Sequence, residues 1–396
     1  MPTERMRELD VLRGIAVAVM ILVTCPGSWA YTYPQMQHVD WNGFSFADFV
    51  FPDFLFGVGM ALGLTFGASL DPAKNRRKFW GKIARRVAGL VLLGVALNFL
   101  YVISGWLGAA PVGPTDEPTW RLPGVLQRIA GAYLIAVLVL LAVGSQRKEG
   151  ELRLRTLGII AAIAVILVGY WALMTFVPVP GHGAGLLDKT GNLAAWIDRQ
   201  VFTPEHMWAL GAETWRGAVV YDPEGLLATL PAATNVLFGV LAVSLWRRSE
   251  SWRIAALAAF GAALIMAALL IDPVFPINKK IWTSSFALLT SGMSMLLLLV
   301  VAGLLRTKLA PLLAPLSILG ANAILAFSLS IATAAFIAVP FGSGDTPQTI
   351  ADRGFEFLSQ FIADPYLASL AFAFSALAFV FACILPLHRK GIHLRL

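Results

Sequence analysis

Long apolar runs separated by short polar gaps fill most of the 396-residue chain. Each run holds about 20 residues, which is the length that an α-helix needs to cross the hydrocarbon core of a bilayer. The runs are continuous, whereas the strands of a membrane β-barrel are short and alternate in polarity. The pattern predicts ten spans, at about 11–30, 46–70, 87–108, 124–144, 157–177, 225–246, 254–271, 284–305, 314–338 and 366–387.

Composition agrees with a membrane protein. Hydrophobic residues make up 58% of the chain and charged residues only 13%, whereas soluble domains carry about 25% charged residues. We therefore predict an all-α polytopic membrane protein that contacts membrane lipid. It forms a single domain over residues 1–396, a bundle of about ten transmembrane helices, and includes a long non-cytoplasmic loop at 178–224. Cys25 and Cys383 both fall inside predicted spans, so neither a disulfide nor a metal site is predicted.

The basic residues predict the orientation. The segment "DPAKNRRKFWGKIARR" at 71–86 and the other gaps on its side of the membrane, together with both ends of the chain, hold most of the 30 Lys and Arg residues. Cytoplasmic loops carry such an excess of positive charge. Both termini are thus predicted to be cytoplasmic, and the net charge of +7 needs no nucleic-acid partner to explain it.

The second span carries Gly59, Gly63 and Gly67 at four-residue spacing. Small residues in this pattern let another helix approach closely. Packing within the chain is the favoured interpretation, and a homodimer contact is the alternative.

Polar and ionisable groups inside spans are costly and indicate function. Asp48 and Asp53 lie early in the second span, Arg128 lies early in the fourth, and Asn322 lies in the ninth. Many polar residues fall at the non-cytoplasmic ends of spans, which predicts one polar cavity that opens outward. The alternative is that these side chains snorkel to the membrane interface and form structural ion pairs, such as Arg128 with Asp48. The set comprises His38, Asp40, Asp48, Asp53, Arg121, Arg128, Asp222, Glu224, Asn278 and Lys279.

Several segments together resemble the heparan-α-glucosaminide N-acetyltransferase family of transmembrane acyltransferases and its bacterial relatives. They occur in order along nearly the whole chain and include "RELDVLRGIAVAVMILV", "HVDWNGFSFADFVFPDFLFGVG", "RLPGVLQRIAGAYL", "YDPEGLLATLP", "INKKIWTSSFALLTSG" and "LGANAI".

The resemblance implies an enzyme that takes acetyl groups from cytoplasmic acetyl-CoA. It delivers them to the amine of a glucosamine unit across the membrane. The family's active-site histidine matches His38, and its acetyl-binding asparagine is replaced here by Thr24. We expect a bacterial inner-membrane member with a different natural acceptor from heparan.

The residues fit this chemistry. A histidine near neutral pH can act as a base or as a nucleophile, and we favour direct transfer with His38 as the base. Asp40 or Asp48 orients the ring in this hypothesis. Thr24 and Asn42 are candidate donors to the oxyanion.

Acetyl-CoA carries phosphates and needs cations and polar groups, for which Arg128, Asn42, Asn322 and Arg13 are the candidates. Arg128 is an alternative partner of Glu224. Carboxylates pair well with sugar hydroxyls, and aromatic rings stack on sugar faces. A helix cap explains Asp222 and Glu224 equally well, and an aromatic belt at the membrane interface explains the Trp residues. The acceptor-site candidates are Glu224, Asp222, Trp41, Asn278, Lys279 and Trp282.

Two alternatives remain open from the sequence. An amino-sugar permease would use the same cavity without chemistry, although the inverted repeats that are typical of transporters are not found. A degenerate family member acting as a scaffold is the other alternative, and the replacement at Thr24 is the observation in its favour.

Overall fold

The computed structural model describes residues 6–67, 70–109, 120–148, 151–214, 217–341, 348–392 and 394. Helices dominate this part of the chain, as the sequence predicts. They are α1 Arg7–Thr24, α2 Phe46–Thr65, α3 Arg76–Trp106, α4 Val125–Ala142, α5 Thr156–Phe176, α6 Leu193–Phe202, α7 Thr229–Trp246, α8 Glu250–Ile271, α9 Ser284–Leu304, α10 Ala314–Ala321, α11 Ala323–Ile337, α12 Ile350–Ser359 and α13 Pro365–Arg389. Two small hairpins pair β1 Ser145–Lys148 with β2 Glu151–Leu154, and β3 Pro340–Phe341 with β4 Gln348–Thr349.

Within the described residues, eight helices are long and apolar enough to cross a membrane, and they coincide with eight of the ten predicted spans. The prediction of an all-α polytopic membrane protein is thereby confirmed. The orientation of the termini stays a prediction.

The other two predicted spans differ in detail. The span predicted at 314–338 is two helices, α10 and α11, which meet at an angle of 82° around Asn322. The first span, predicted at 11–30, is α1; it begins at Arg7 and ends at Thr24, immediately before the sequence Cys25-Pro26-Gly27. Proline lacks the amide hydrogen that a continuing helix needs, so the helix stops earlier than the apolar run does.

Glycines bring α2 and α7 into close contact. A Cβ atom on Gly59 would lie 1.9 Å from the carbonyl oxygen of Val236, and one on Gly63 would lie 3.2 Å from the Cα atom of Val240. The glycine ridge of the second span therefore packs within the chain, which confirms the favoured interpretation for these two positions.

The long loop at 178–224 contains the short helix α6, Leu193–Phe202. Asn192 caps α6 by accepting a hydrogen bond from the backbone amide of Ala195 at 2.8 Å. This loop, the 31–45 segment and the 272–283 segment lie near one another and hold the polar residues described next.

Candidate active site

The segment His38–Gly43, "HVDWNG", is docked onto the loop that precedes α9. Its Gly43 backbone amide donates to the carbonyl oxygen of Ile277 at 2.8 Å. The Asn42 side-chain oxygen accepts from the side-chain amide of Asn278 at 3.0 Å. Gly43 adopts φ +116°, a conformation that favours glycine. The segment is therefore anchored to its neighbours and differs from a free solvated turn.

His38 is oriented by Asp48. The ring Nδ1 lies 2.8 Å from Asp48 Oδ1, and Asp48 is fully buried in the first turn of α2. The other carboxylate oxygen accepts from the Ser45 amide at 3.1 Å and from the Ser45 hydroxyl at 2.8 Å, so the capping of α2 also fixes Asp48. An ionised carboxylate only accepts hydrogen bonds. The proton is therefore on Nδ1, and Nε2 carries the lone pair of the ring.

Lys279 completes a three-residue cluster. Its Nζ atom lies 3.0 Å from His38 Nδ1, 3.3 Å from His38 Nε2 and 3.4 Å from Asp48 Oδ1. Desolvation and the positive charge of Lys279 lower the pKa of His38 to about 4, against the opposing effect of Asp48. The imidazole is thus neutral near pH 7, as a base or a nucleophile must be.

His38 and Lys279 line a cavity of about 150 Å³ between α1, α2, α4 and α11. Thr24 and Glu224 are its other polar lining residues. The remaining wall is apolar and is formed by Ala16, Val17, Met20, Val23, Ala47, Val50, Phe51, Phe54, Val125, Ile129, Phe327 and Ile331. The cavity thus combines an apolar body with a small set of polar groups, which is typical of small-molecule sites.

A second cluster supports Glu224. Arg121 donates to Asp222 through Nε at 2.9 Å and through Nη2 at 2.5 Å, and it also contacts Glu224 through Nη2. The two carboxylates raise the pKa of Arg121 above its usual range, whereas Arg121 and Arg128 hold the pKa of Glu224 below its usual range against the effect of burial. Glu224 therefore stays anionic at the wall of the cavity.

Arg128 takes a different place from either predicted pairing. Its Nη2 atom donates to the carbonyl oxygen of Gly225 at 3.1 Å, and its guanidinium lies 5.0 Å from the centroid of the Trp282 ring. Asp48 contacts His38 and Lys279 instead, and Glu224 is held by Arg121. The ion pair between Arg128 and Asp48, which the sequence offered only as an alternative, is not formed, because α4 places the arginine beside Gly225.

Asp40 and Asp48 are not equivalent candidates. Asp40 has an 84% exposed side chain that pairs with Lys189 at 2.9 Å, so Asp48 alone orients the His38 ring. The Thr24 hydroxyl donates to the carbonyl oxygen of Met20 at 2.9 Å. Thr24 lines the cavity, but its single hydroxyl hydrogen is used inside its own helix.

The aromatic candidates are structural in this conformation. Trp282 is 1% exposed and donates through Nε1 to the Asn235 side-chain oxygen at 3.0 Å, so stacking on a sugar is not available to it. Trp41 donates to the carbonyl oxygen of Leu187 at 2.8 Å and packs edge-on against Tyr221. Neither ring lines the cavity.

Asn278, Asp222, Arg13 and Asn322 lie outside the cavity lining. Asn278 is buried, and its oxygen accepts from the Ile281 amide at 3.1 Å; Asp222 accepts from the Trp208 amide at 2.7 Å. Arg13 donates to the carbonyl oxygen of Gly57 at 3.1 Å. Asn322 stands at the break between α10 and α11 and lies 3.1 Å from His388 Nδ1. A role for Arg13 or Asn322 toward a cofactor stays a prediction.

Asp198 is a buried carboxyl group that the sequence reading passed over. It lies in α6, is 1% exposed, and accepts from the Leu226 amide at 2.8 Å. Burial raises its pKa to about 7. Asp198 fixes the backbone next to Glu224 from the side of the long loop. Its position in a short amphipathic helix was the available signal.

Comparison with known proteins agrees with the resemblance. A family model described as "Heparan-alpha-glucosaminide N-acetyltransferase, catalytic" matches residues 5–180. The human heparan-alpha-glucosaminide N-acetyltransferase (Homo sapiens) is 30% identical over 340 residues, which cover 77% of this chain and 49% of the human protein. The mouse protein (Mus musculus) is 28% identical over 338 residues, which cover 77% of this chain and 50% of its own length.

The chain spans about half the length of the curated relatives it matches. The matched part includes His38, Asp48 and Arg128, which all fall within residues 5–180. The chain is thus similar to the catalytic part of the heparan-alpha-glucosaminide N-acetyltransferase family over residues 5–180, and to the human and mouse proteins over 77% of its length.

Proposed function

We propose that this protein is a membrane-embedded N-acetyltransferase. It transfers an acetyl group from acetyl-CoA to the amine of a glucosamine-type sugar. The observation that carries the proposal is the His38–Asp48–Lys279 cluster at the wall of the cavity, with an oriented and neutral imidazole. The names of the relatives supply the reaction class.

The acceptor enters from the non-cytoplasmic side in this proposal, and acetyl-CoA comes from the cytoplasm. The basic segments support this sidedness, because they lie at the opposite end of the predicted spans from His38. The inner membrane of a bacterium is the proposed location. Glu224 accepts a hydrogen bond from the acceptor's neutral amine, because it is the anionic side chain among the described residues that line the cavity.

Proton transfer is the task of His38. Its Nε2 atom takes a proton from the acceptor amine, and Asp48 stabilises the imidazolium that forms. The amine nitrogen forms a bond to the carbonyl carbon of the thioester, and the π electrons of the C=O bond move onto oxygen. Collapse of this intermediate re-forms the C=O bond and breaks the C–S bond, and the leaving thiolate takes the proton from Nε2.

Proteoliposomes that contain the purified protein test the proposal. Labelled acetyl-CoA is supplied on one side and glucosamine on the other, and the labelled sugar is measured. We expect transfer by the wild type and a loss of at least about 10³-fold in His38→Ala. His182→Ala is the matched control, since His182 lies in the outer loop away from the cavity lining.

A failure of wild-type protein to acetylate glucosamine or related amino sugars, together with uptake of the unmodified sugar, would contradict the proposal and support a permease. Transfer that survives His38→Ala would contradict the assignment of the base. Transfer with both compounds on the same side only would contradict the proposed sidedness.

A further inference from the structure

Lys279 is a buried cation beside the atom that reacts. Its ammonium nitrogen lies 3.3 Å from His38 Nε2, and its side chain is 9% exposed. Burying a charge is unfavourable unless it is compensated. Burial lowers the pKa of Lys279, whereas Asp48 at 3.4 Å and Glu224 at the same cavity oppose this effect and favour the ammonium form.

The other lining side chains offer no hydrogen-bond donor to a reacting carbonyl group. The Thr24 hydroxyl donates to Met20 at 2.9 Å, Glu224 is an acceptor, and His38 Nδ1 donates to Asp48. Among the described residues that line the cavity, Lys279 is therefore the side chain with N–H groups directed at the reaction centre.

Acetyl transfer creates a negative charge at the carbonyl oxygen. An acceptor nitrogen that is hydrogen-bonded to His38 Nε2 places the carbonyl carbon one bond further away. The developing oxyanion forms on the oxygen bonded to that carbon, and Lys279 Nζ lies 3.3 Å from Nε2, so the ammonium is within reach of the oxyanion. A preformed ammonium at that distance stabilises the transition state more than the neutral thioester.

We propose that Lys279 is a catalytic residue that donates to the oxyanion of the tetrahedral intermediate, in the place expected for Thr24. This inference rests on the proposed acetyl transfer and adds the group that balances its charge. Lys279 takes up and releases no proton in the step. It holds the charge while the π electrons rest on oxygen, until the C–S bond breaks.

The backbone that carries Lys279 is held in place by Trp282 and Asn235. The Trp282 amide donates to the Lys279 carbonyl oxygen at 3.1 Å, and Trp282 has φ +49°, a left-handed conformation that non-glycine residues seldom adopt. The Trp282 Nε1 atom donates to Asn235 at 3.0 Å. Trp282 and Asn235 are thus positioning residues for the turn that presents the ammonium.

Lys279→Met tests the inference through a pH profile of kcat. We expect a loss of about 10²- to 10³-fold with the KM for acetyl-CoA nearly unchanged. The loss should persist up to about pH 9, where the imidazole is neutral in any variant. If Lys279 acted only by keeping His38 neutral, the activity of Lys279→Met would instead return to the wild-type rate as the pH rises.

Lys280→Met is the matched control. Lys280 is also buried and adjacent in sequence, but its ammonium lies 4.7 Å from the centroid of the Trp208 ring and it is not a lining residue. We expect its kcat to stay within about threefold of the wild type. Lys279→Arg keeps a positive charge and should retain more activity than Lys279→Gln, which keeps only a neutral donor.

A plateau rate in Lys279→Met equal to that of Lys280→Met would overturn the inference. Equal rates for the Arg and Gln variants would also overturn it, and this comparison decides the matter if the Met variant does not fold. Both outcomes differ from a failure of the proposed function itself, in which the wild type and Lys280→Met form no acetylated sugar.

Discussion

Two polar clusters lie at the same cavity, and they are built differently. In the first, His38, Asp48 and Lys279 meet at distances of 2.8–3.4 Å, and the ring of His38 is 39% exposed. In the second, Arg121 contacts both Asp222 and Glu224, whose side chains are 0% and 9% exposed. The first cluster presents the Nε2 lone pair of a partly exposed ring, whereas the second uses nearly all its hydrogen-bonding groups.

The two clusters therefore suit different tasks: the first suits proton transfer, and the second suits binding. A neutral imidazole with an oriented proton on one side suits proton transfer on the other. A guanidinium that holds two carboxylates suits the fixing of one anionic group at the cavity wall. Changes in the first cluster should therefore lower kcat, and changes in the second should affect stability and the KM for the acceptor.

Asp48→Asn should give the largest effect on the rate. The amide no longer enforces the Nδ1–H tautomer, and it does not stabilise the imidazolium, so kcat should fall by about 10³- to 10⁴-fold. Steady-state acetyl transfer measures this. Asp53→Asn is the control, because Asp53 is equally buried in the same helix but contacts Ser294 at 2.8 Å. A similar loss in both variants would contradict the role of Asp48.

Arg121→Met should give the largest effect on stability. It leaves two buried carboxylates without their shared cation, which costs about 3–5 kcal/mol of the free energy of unfolding. Thermal unfolding in detergent compares it with Asp40→Asn, which removes an exposed pair and should change stability by less than about 1 kcal/mol. Equal melting temperatures would show that the second cluster is not structural.

Glu224→Gln should raise the KM for the amino sugar by about 10- to 100-fold, because a charge-assisted hydrogen bond to the acceptor is lost. The value of kcat should change much less. Initial rates over a range of glucosamine concentrations separate the two. A fall in kcat alone, at an unchanged KM, would contradict the role of Glu224 in binding the acceptor and would show that it acts in the reaction step.

The pH dependence of His38 tests the electrostatics of the first cluster. A pKa lowered to about 4 means that the neutral ring persists well below pH 6.5 and is lost only as the pH falls through 4. Modification of His38 by diethyl pyrocarbonate, followed by mass spectrometry, reports the neutral fraction. We expect a constant rate from about pH 8 to 5. A midpoint near 6.5 would show that Lys279 and burial have no net effect on the ring.

Thr24→Val should give the smallest effect. The hydroxyl of Thr24 already donates to Met20, so removing it should lower kcat by less than about threefold. A loss comparable with that of Lys279→Met would return the oxyanion contact to Thr24.

Much of the fold follows from the apolar pattern. Eight predicted spans coincide with helices, because the length of an apolar run reflects the thickness of the bilayer. The start of α3 was missed: the helix begins at Arg76, whereas the apolar run begins near residue 87. The break at Asn322 was missed, since one amide hardly changes the mean hydropathy of a run. Hydropathy measures how apolar a segment is, and it does not measure whether the helix continues.

The sequence predicted at which end of the spans the site residues lie, but it did not predict which of these side chains contact one another. Charge and span boundaries placed His38, Asp48 and Lys279 at one end of the bundle. Which of them touch depends on which helices are neighbours, and periodicity does not give this for residues that are 241 positions apart, such as His38 and Lys279. The assignment of Trp282 to sugar stacking was also not met. Its position near the interface made it a candidate, but it lies in a left-handed turn and its ring is buried.

In the proposed function, His38 carries acetyl transfer with the help of its two charged neighbours, Asp48 and Lys279. A single-turnover measurement tests this role, with purified protein in excess over labelled acetyl-CoA and with saturating glucosamine. We expect label to reach the sugar in one fast phase with the wild type, and at a rate at least about 10³-fold lower with His38→Ala. Label that reaches the sugar equally fast in both proteins would contradict it.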